Sequence, residues 1–150
     1  MTKKRLGTVL IGLGLSALVW PALVGAKGGG SLLVPASEVK FSEVPNMAGV
    51  QLAAVEGDPA KGASHFMLKF APGFAAPMHH HTANHSGTVV AGTLILTVDG
   101  KEQKLPPGSY FAFSGKQPHT TKCEAGATCI LSMDVRGKWD VVAEKTAAPK

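Results

Sequence analysis

The stretch GFAAPMHHHTANHSGTVVAG, residues 73–92, places four histidines within a span of seven residues: His79, His80, His81 and His85. Alternate side chains of a β-strand share a face, so a strand here would point His79 and His81 to one side and His80 to the other. We expect the first two to face a protein interior and His80 to meet solvent. A short turn over 82–84 would bring His85 back toward the pair.

A metal site is the chemistry that this arrangement favours. Neutral imidazole is a ligand for transition metals, whereas a buried imidazole with unsatisfied nitrogens is costly. Far along the chain, His119 begins another β-prone run, which a barrel can bring beside the first. The sequence therefore predicts one divalent transition metal (Zn, Fe, Mn, Ni or Cu) held by His79, His81, His85 and His119. The alternative is an exposed polar loop with incidental metal affinity.

Other side chains are candidates for supporting roles. By position alone, Asn84, Thr120 and Thr121 are candidates to hydrogen bond to the imidazoles. His65 is a candidate acid or base, with a satisfied surface or core histidine as the alternative. Inward strand positions are expected to form an apolar pocket wall, or else simply to pack in the core, and the candidates are Met67, Phe111, Phe113 and Met133.

The sequence around the histidines is typical of an all-β protein. Short β-prone runs are separated by Gly, Pro, Asp and Asn every 8 to 12 residues, with no long helical periodicity after residue 31. A single closed antiparallel barrel accounts for this pattern. The predicted strands are 50–55, 64–70, 88–91, 93–98, 101–105, 109–113, 119–123, 129–134 and 139–142.

The N-terminal segment resembles a secretion signal. Three basic residues precede the apolar run 6–20, and small residues at 24–26 are suited to a signal peptidase. This predicts a periplasmic or secreted protein, and the alternative is an uncleaved anchor, since about 20 apolar residues can cross a bilayer. The predicted division is a signal peptide over 1–26, a flexible linker over 27–37, a folded domain over 38–143 and a polar tail over 144–150.

The net charge of the chain argues against a nucleic-acid partner. Fifteen basic residues face ten acidic ones, but three of the basic residues lie in the predicted signal and no acidic ones do. No cluster of Lys and Arg is left in the remainder, as nucleic-acid binding would require. We expect a small-molecule partner, and no stable membrane association after signal cleavage.

The two cysteines, Cys123 and Cys129, flank a turn-like stretch between two apolar runs. In an oxidising compartment a disulfide across this turn is the favoured interpretation. Two reduced thiols are the alternative, and metal ligation by them is less favoured because only His119 lies near.

The first histidine cluster resembles the first sequence motif of the cupin superfamily. In that motif five residues separate a glycine from His-x-His, a glutamate follows, and a second glycine closes the motif. Here Gly73, His79, His81 and Gly92 occupy the matching positions, and His85 stands where the glutamate belongs.

The second cupin motif is matched less completely. Gly108 and His119 have the expected separation of eleven residues, but Ser114 replaces a proline, Lys116 a glycine and Cys123 an asparagine. Gly115 is expected to supply the turn one residue early. The fifteen residues between the motifs, 93–107, match the short connection of small single-domain bacterial cupins.

The resemblance implies a double-stranded β-helix, or jelly roll, with three metal-binding histidines and His85 as the fourth ligand of a four-histidine variant. It implies a metal-dependent enzyme on a small organic molecule, of dioxygenase or isomerase/decarboxylase type. The alternative is a non-catalytic metal-binding or ligand-sensing module with a structural ion, and a sugar-binding domain is the weakest hypothesis. A homodimer is a further implication of the resemblance.

Overall fold

The computed structural model describes residues 30–144, which form antiparallel strands with one short 3-10 helix, Ala36–Glu38. The predicted signal peptide and most of the polar tail lie outside the described residues. The strands are β1 (Ser42–Glu43), β2 (Val50–Gly57), β3 (Ser64–Phe70), β4 (Ala75–His80), β5 (His85–Ala91), β6 (Leu94–Val98), β7 (Lys101–Leu105), β8 (Tyr110–Phe113), β9 (His119–Cys123), β10 (Cys129–Val135) and β11 (Val142–Ala143).

These strands build two facing sheets. The larger has the order β1-β2-β3-β10-β5-β8 and the smaller has the order β11-β4-β9-β6-β7. Every pairing is antiparallel, and strands distant in sequence become neighbours, as β4 and β9 do. The predicted all-β jelly roll is confirmed.

The hydrophobic core lies between the sheets because the strands alternate buried and half-buried residues. In β3 the residues Phe66, Leu68 and Phe70 are buried, and in β10 Leu131 and Met133 are buried. This period of two is what a strand with one face on a core requires. The inner faces of the two sheets therefore form one continuous apolar interior.

Most of the predicted strands are confirmed, three of them to the residue: 64–70, 101–105 and 119–123. The predicted strand 139–142 is wrong, because only Val142–Ala143 pairs with a neighbour and Trp139 lies in the preceding loop. In the part of the chain that the structure describes, no helix has the length and apolarity to traverse a lipid bilayer.

The predicted disulfide between Cys123 and Cys129 is present. Cys123 ends β9 in the smaller sheet and Cys129 begins β10 in the larger, so the bond links the two sheets. Both residues are buried. Gly92 packs against this bond with φ +72°, and a Cβ there would meet Thr128 O at 2.5 Å, so only glycine fits.

Replacing both cysteines by alanine should lower the stability of the domain without removing metal. Opening a loop of this size costs about 2 kcal/mol on the chain-entropy model, which corresponds to about 5–10 °C in Tm. Calorimetry and metal analysis of the C123A/C129A variant check this. Loss of metal from the folded variant would return the two thiols to consideration as ligands.

Candidate metal centre

The fold brings four histidines from three places in the chain to one end of the core. His79 lies in β4, His81 directly after it, and His85 and His119 begin β5 and β9. His79 and His119 are direct partners in the β4–β9 pairing, which explains how residues forty positions apart meet. All four side chains are buried, with 2–6% exposure.

Three of these histidines form a tight group. One ring nitrogen from each of His79, His81 and His119 lies within 4.8 Å of the others. The ring centroid of His85 lies 4.8 Å from that of His81 but 6.1 Å from that of His119, so His85 borders the group. The structure thus brings together three of the predicted ligands and places the fourth beside them.

Each of the four imidazoles uses its Nδ1 in a hydrogen bond to a backbone carbonyl. Because a carbonyl oxygen can only accept, each Nδ1 carries the hydrogen, and the Nε2 atom of each neutral ring keeps its lone pair. Such a bond fixes both the tautomer and the orientation of a metal-binding histidine. The pairs are His79 with Pro77, His81 with Asp140, His85 with Ala83 and His119 with Gln117.

Burial keeps these rings neutral. It lowers the pKa of His81 to about 3 and that of His119 to about 4. Burial also lowers the pKa of His79 and of His85 below the ordinary value. Neutral imidazoles with free Nε2 atoms are the donor set that a divalent transition metal takes, so the residues fit a bound cation.

The side chains predicted to hydrogen bond to the imidazoles make no hydrogen bond to them within the described part of the chain. Asn84 Oδ1 accepts a hydrogen bond from Gly115 N at 2.7 Å, and the buried Oγ1 of Thr120 has no hydrogen-bond partner among the described residues. Thr121 lines the cavity. Backbone carbonyls take the supporting role instead, and for three of the rings the carbonyl belongs to the residue two positions earlier in the chain.

His80 points away from the other histidines, as the alternation predicted, but it is not simply exposed. It is half-buried, and its Nδ1 hydrogen bonds to Glu144 Oε1 at 2.5 Å. The segment that carries Glu144 pairs antiparallel alongside β4, which the sequence pattern did not indicate.

Two aromatic rings stack on the imidazoles. Trp139 stacks on His81 with ring centroids 3.8 Å apart and planes 19° apart. Phe113 stacks on His119 at 4.3 Å and 12°. Sequence reasoning placed Phe113 in the pocket wall but missed Trp139, whose only signal was that it is the sole tryptophan of the predicted domain.

The loop of the second motif packs closely on the first. A Cβ at Gly115 would meet Thr82 O at 2.3 Å, and Lys116 N donates to His81 O at 2.7 Å. Gly115 lies in the turn between Ser114 and Gln117, as expected, but the left-handed conformation falls on Lys116, with φ +66°. A non-glycine residue there costs roughly 1–2 kcal/mol, which the surrounding contacts must offset.

The histidines line a small apolar cavity of about 60 Å³. Phe111, Phe113 and Met133 lie in its wall as predicted, but Met67 does not, because it shares the outward face of β3 with Lys69. His65 also lies on that outward face and hydrogen bonds to Ser132 Oγ at 3.0 Å, away from the cavity. Among the described residues, no Asp, Glu, Lys or Arg lines this cavity.

Comparison with known proteins gives both a family match and a local relative. The family model described as "Cupin domain" matches residues 66–135. Over 72 residues the chain is 32% identical to quercetin 2,3-dioxygenase of Bacillus subtilis. The matched span covers 47% of this chain and 21% of that protein. The chain therefore spans about a fifth of the length of that relative.

Several solved structures share the fold. The polyketide cyclase RemF of Streptomyces resistomycificus matches with a TM-score of 0.65 and 20% identity, over 77% of this chain and 86% of that one. An RmlC-like cupin protein of Ralstonia eutropha matches with a TM-score of 0.63 and 21% identity, over 81% and 76%. KdgF of a Halomonas species matches with a TM-score of 0.59 and 21% identity, over 72% and 94%. At these identities the likeness concerns the fold alone.

The metal-free protein should lose stability as the pH falls below about 6.5. The pKa of the buried imidazoles is lower in the folded than in the unfolded chain, so acid protonates the unfolded state first and favours it. We expect the free energy of unfolding to be about 2 kcal/mol or more lower at about pH 5 than at about pH 7.5. Denaturant unfolding at the two pH values measures it. A His119→Gln variant should show a smaller pH dependence, and equal stability of the wild type at both pH values would contradict the buried neutral rings.

Proposed function

Because the folded domain of this chain belongs to the cupin superfamily, we propose that it is an exported metalloenzyme acting on a small, largely apolar organic molecule. One divalent transition metal (Zn, Fe, Mn, Ni or Cu) would be bound by the Nε2 atoms of His79, His81 and His119. The observation that carries the proposal is the convergence of these rings with every Nδ1 already bonded to a backbone carbonyl.

His85 is proposed as the fourth ligand. It occupies the position of the motif glutamate, its Nδ1 donates to Ala83 O at 3.1 Å, and its ring lies beside that of His81. With His85 in place of a carboxylate, all protein ligands are neutral. The charge of the ion would then be compensated by an anionic substrate oxygen.

The substrate class follows from the cavity wall. A wall of aliphatic and aromatic side chains without ionised groups favours an apolar body over a sugar, a phosphate ester or a dicarboxylate. An enolate or catechol-like oxygen would provide the end that approaches the metal. When bound, the metal supplies Lewis acidity to that oxygen, or redox chemistry if it is iron, nickel or copper.

The cavity is large enough for only one end of an organic substrate, so the rest must bind outside it. About 60 Å³ is small for a whole organic substrate, since ligand pockets commonly exceed about 300 Å³. An outer groove of about 310 Å³ adjoins the cavity, and both are lined by Met47, Phe74, Ala76, His79 and Val141. We place the apolar body in this groove and the oxygen-bearing end inside, where the apolar wall excludes water.

A dioxygenase-like reaction is the preferred chemistry, with an isomerase- or decarboxylase-like reaction as the second branch. The support is the local identity of 32% to quercetin 2,3-dioxygenase, over a span that is a fifth of that protein. The disulfide between Cys123 and Cys129 supports the proposed periplasmic or secreted location, since such bonds persist in oxidising compartments. The signal peptide and a homodimer remain predictions.

One observation favours a non-catalytic alternative. Apart from the histidines, only Thr121 and Trp139 of the described residues that line the cavity carry a polar side-chain atom, and neither is an acid or base. A four-histidine site with no open position would hold a structural ion, as closed zinc sites do. Zinc at full occupancy without an exchangeable water would favour this alternative over the enzyme.

The metal content of single histidine variants tests the site. His81→Ala should reduce bound metal at least about tenfold, because one Nε2 ligand is lost. His80→Ala is the matched control, since His80 is next to His81 in the sequence and points away from the cavity. It loses the side-chain hydrogen bond to Glu144 but keeps the main-chain pairing of β11 with β4. Elemental analysis of the two purified proteins measures the difference. Equal losses would mean that strand alternation does not select the ligands.

Substrate binding in the outer groove can be tested with two exposed valines. Val141→Glu should raise KM for a flavonol- or catechol-type substrate about tenfold, because it puts a charge beside the apolar body. Val90→Glu is the control, since Val90 is similarly exposed (49% against 41%) but does not line the groove. Oxygen uptake by the metal-loaded proteins gives KM. Unchanged KM in Val141→Glu would remove the groove from the proposal, and no turnover of any such compound by the wild type would favour the structural ion.

A further inference from the structure

A strap of chain after β10, residues 139–144, runs antiparallel alongside β4, the strand that carries His79 and His80. Its strand β11 pairs Val142 with His80 and Ala143 with His79. The strap ends with a hydrogen bond from Glu144 N to Met78 O at 3.0 Å. It lies outside the residues 66–135 that match the cupin family model, so that match says nothing about its role.

The strap begins at Trp139, whose indole lies flat against His81. The indole also meets the ring of Phe66 edge-on, with centroids 5.3 Å apart, and that of His85 at 5.4 Å. Its backbone is anchored separately, because Trp139 N donates to Pro59 O at 2.8 Å. The indole is therefore held in place on several sides and restricts the plane of the His81 ring.

The next residue, Asp140, makes the hydrogen bond that orients His81. Its backbone carbonyl accepts from His81 Nδ1. Its carboxylate accepts from Thr82 N at 2.8 Å and from Thr82 Oγ1 at 2.7 Å, which fixes the strap to the chain just after the ring. Two neighbouring residues thus set both the tautomer and the plane of one imidazole.

His81 differs from the other three histidines in this respect. The carbonyls that hold His79, His85 and His119 come from two residues earlier in the chain, so the local path of the chain supplies them. The carbonyl that holds His81 comes from a residue 59 positions away. The orientation of His81 therefore depends on the docking of the strap.

We infer that Trp139 is a positioning residue of the metal site, which holds His81 in the plane and tautomer that direct its Nε2 at the ion. The inference rests on the proposed function, because it assigns Trp139 a role toward the proposed metal. It makes metal affinity depend on a segment that contributes no ligand. Loosening the strap should weaken metal binding even though all four histidines remain.

Metal titration of three variants tests this inference. Trp139→Leu should weaken the binding of zinc or cobalt about tenfold to a hundredfold, as the loss of a supporting group around a metal does. Trp139→Phe, which keeps a stacking ring, should recover most of the affinity. Phe111→Leu is the control, because Phe111 lines the same cavity and, among the described residues, makes a ring contact with Phe113 but with no histidine. Competition with a chelating dye gives the three dissociation constants.

A further variant keeps the test decisive if Trp139→Leu does not fold. Asp140→Ala keeps the carbonyl but removes the two hydrogen bonds to Thr82, so it should also weaken metal binding by loosening the strap. Wild-type affinity in both Trp139→Leu and Asp140→Ala would overturn the inference. An equal loss in Phe111→Leu would also overturn it, since general packing would then explain the effect.

NMR of the metal-free protein separates this inference from the proposed function. In the wild type, the imidazole of His81 should give a single Nδ1–H tautomer, and in Trp139→Leu it should average between tautomers. A wild type that binds no metal would end the proposed function, and the tautomer comparison would still decide whether Trp139 positions His81. An unchanged His81 signal in Trp139→Leu would overturn the inference.

Discussion

The hydrogen bond from Nδ1 of each buried histidine to a backbone carbonyl is the interaction on which this site depends. An imidazole inside an apolar barrel must satisfy both ring nitrogens, and burial keeps it neutral. Once a carbonyl has fixed the hydrogen on Nδ1, the lone pair on Nε2 is free to accept, and one divalent cation satisfies several such lone pairs at once. The β4–β9 pairing makes this possible by placing His79 opposite His119.

The side chains around the histidines also restrict which substrates can bind. The cavity wall has no ionised side chain among the described residues, so a divalent ion held there by neutral rings keeps its full charge. An apolar molecule with an anionic oxygen matches both the wall and the ion. The narrow interior and the wider groove outside it suggest that recognition of the body and chemistry at the oxygen occur in separate places.

Part of this site is readable from the sequence, because strand alternation and motif spacing are local properties. The alternation separated His80 from His79 and His81, and the spacing of the second motif identified His119. The error at Met67 was avoidable, since His65 and Lys69 mark that face of β3 as the polar one. Trp139 and Asp140 were not predictable, because they reach His81 through a strap whose path is set by tertiary packing. The left-handed conformation of Lys116 could not be predicted either, since it depends on contacts with the loop after β4, such as the hydrogen bond from Lys116 N to His81 O.

The central claim is that imidazoles remote in sequence bind one cation through Nε2. The direct measurement is NMR of nitrogen-labelled protein loaded with an NMR-active cadmium isotope, in which a bound nitrogen shows a one-bond coupling to the metal. A single cadmium signal coupled to Nε2 of His79, His81 and His119 is the predicted result, with His85 as the expected fourth. Coupling that omits His119, or that reaches any ring through Nδ1, would contradict it.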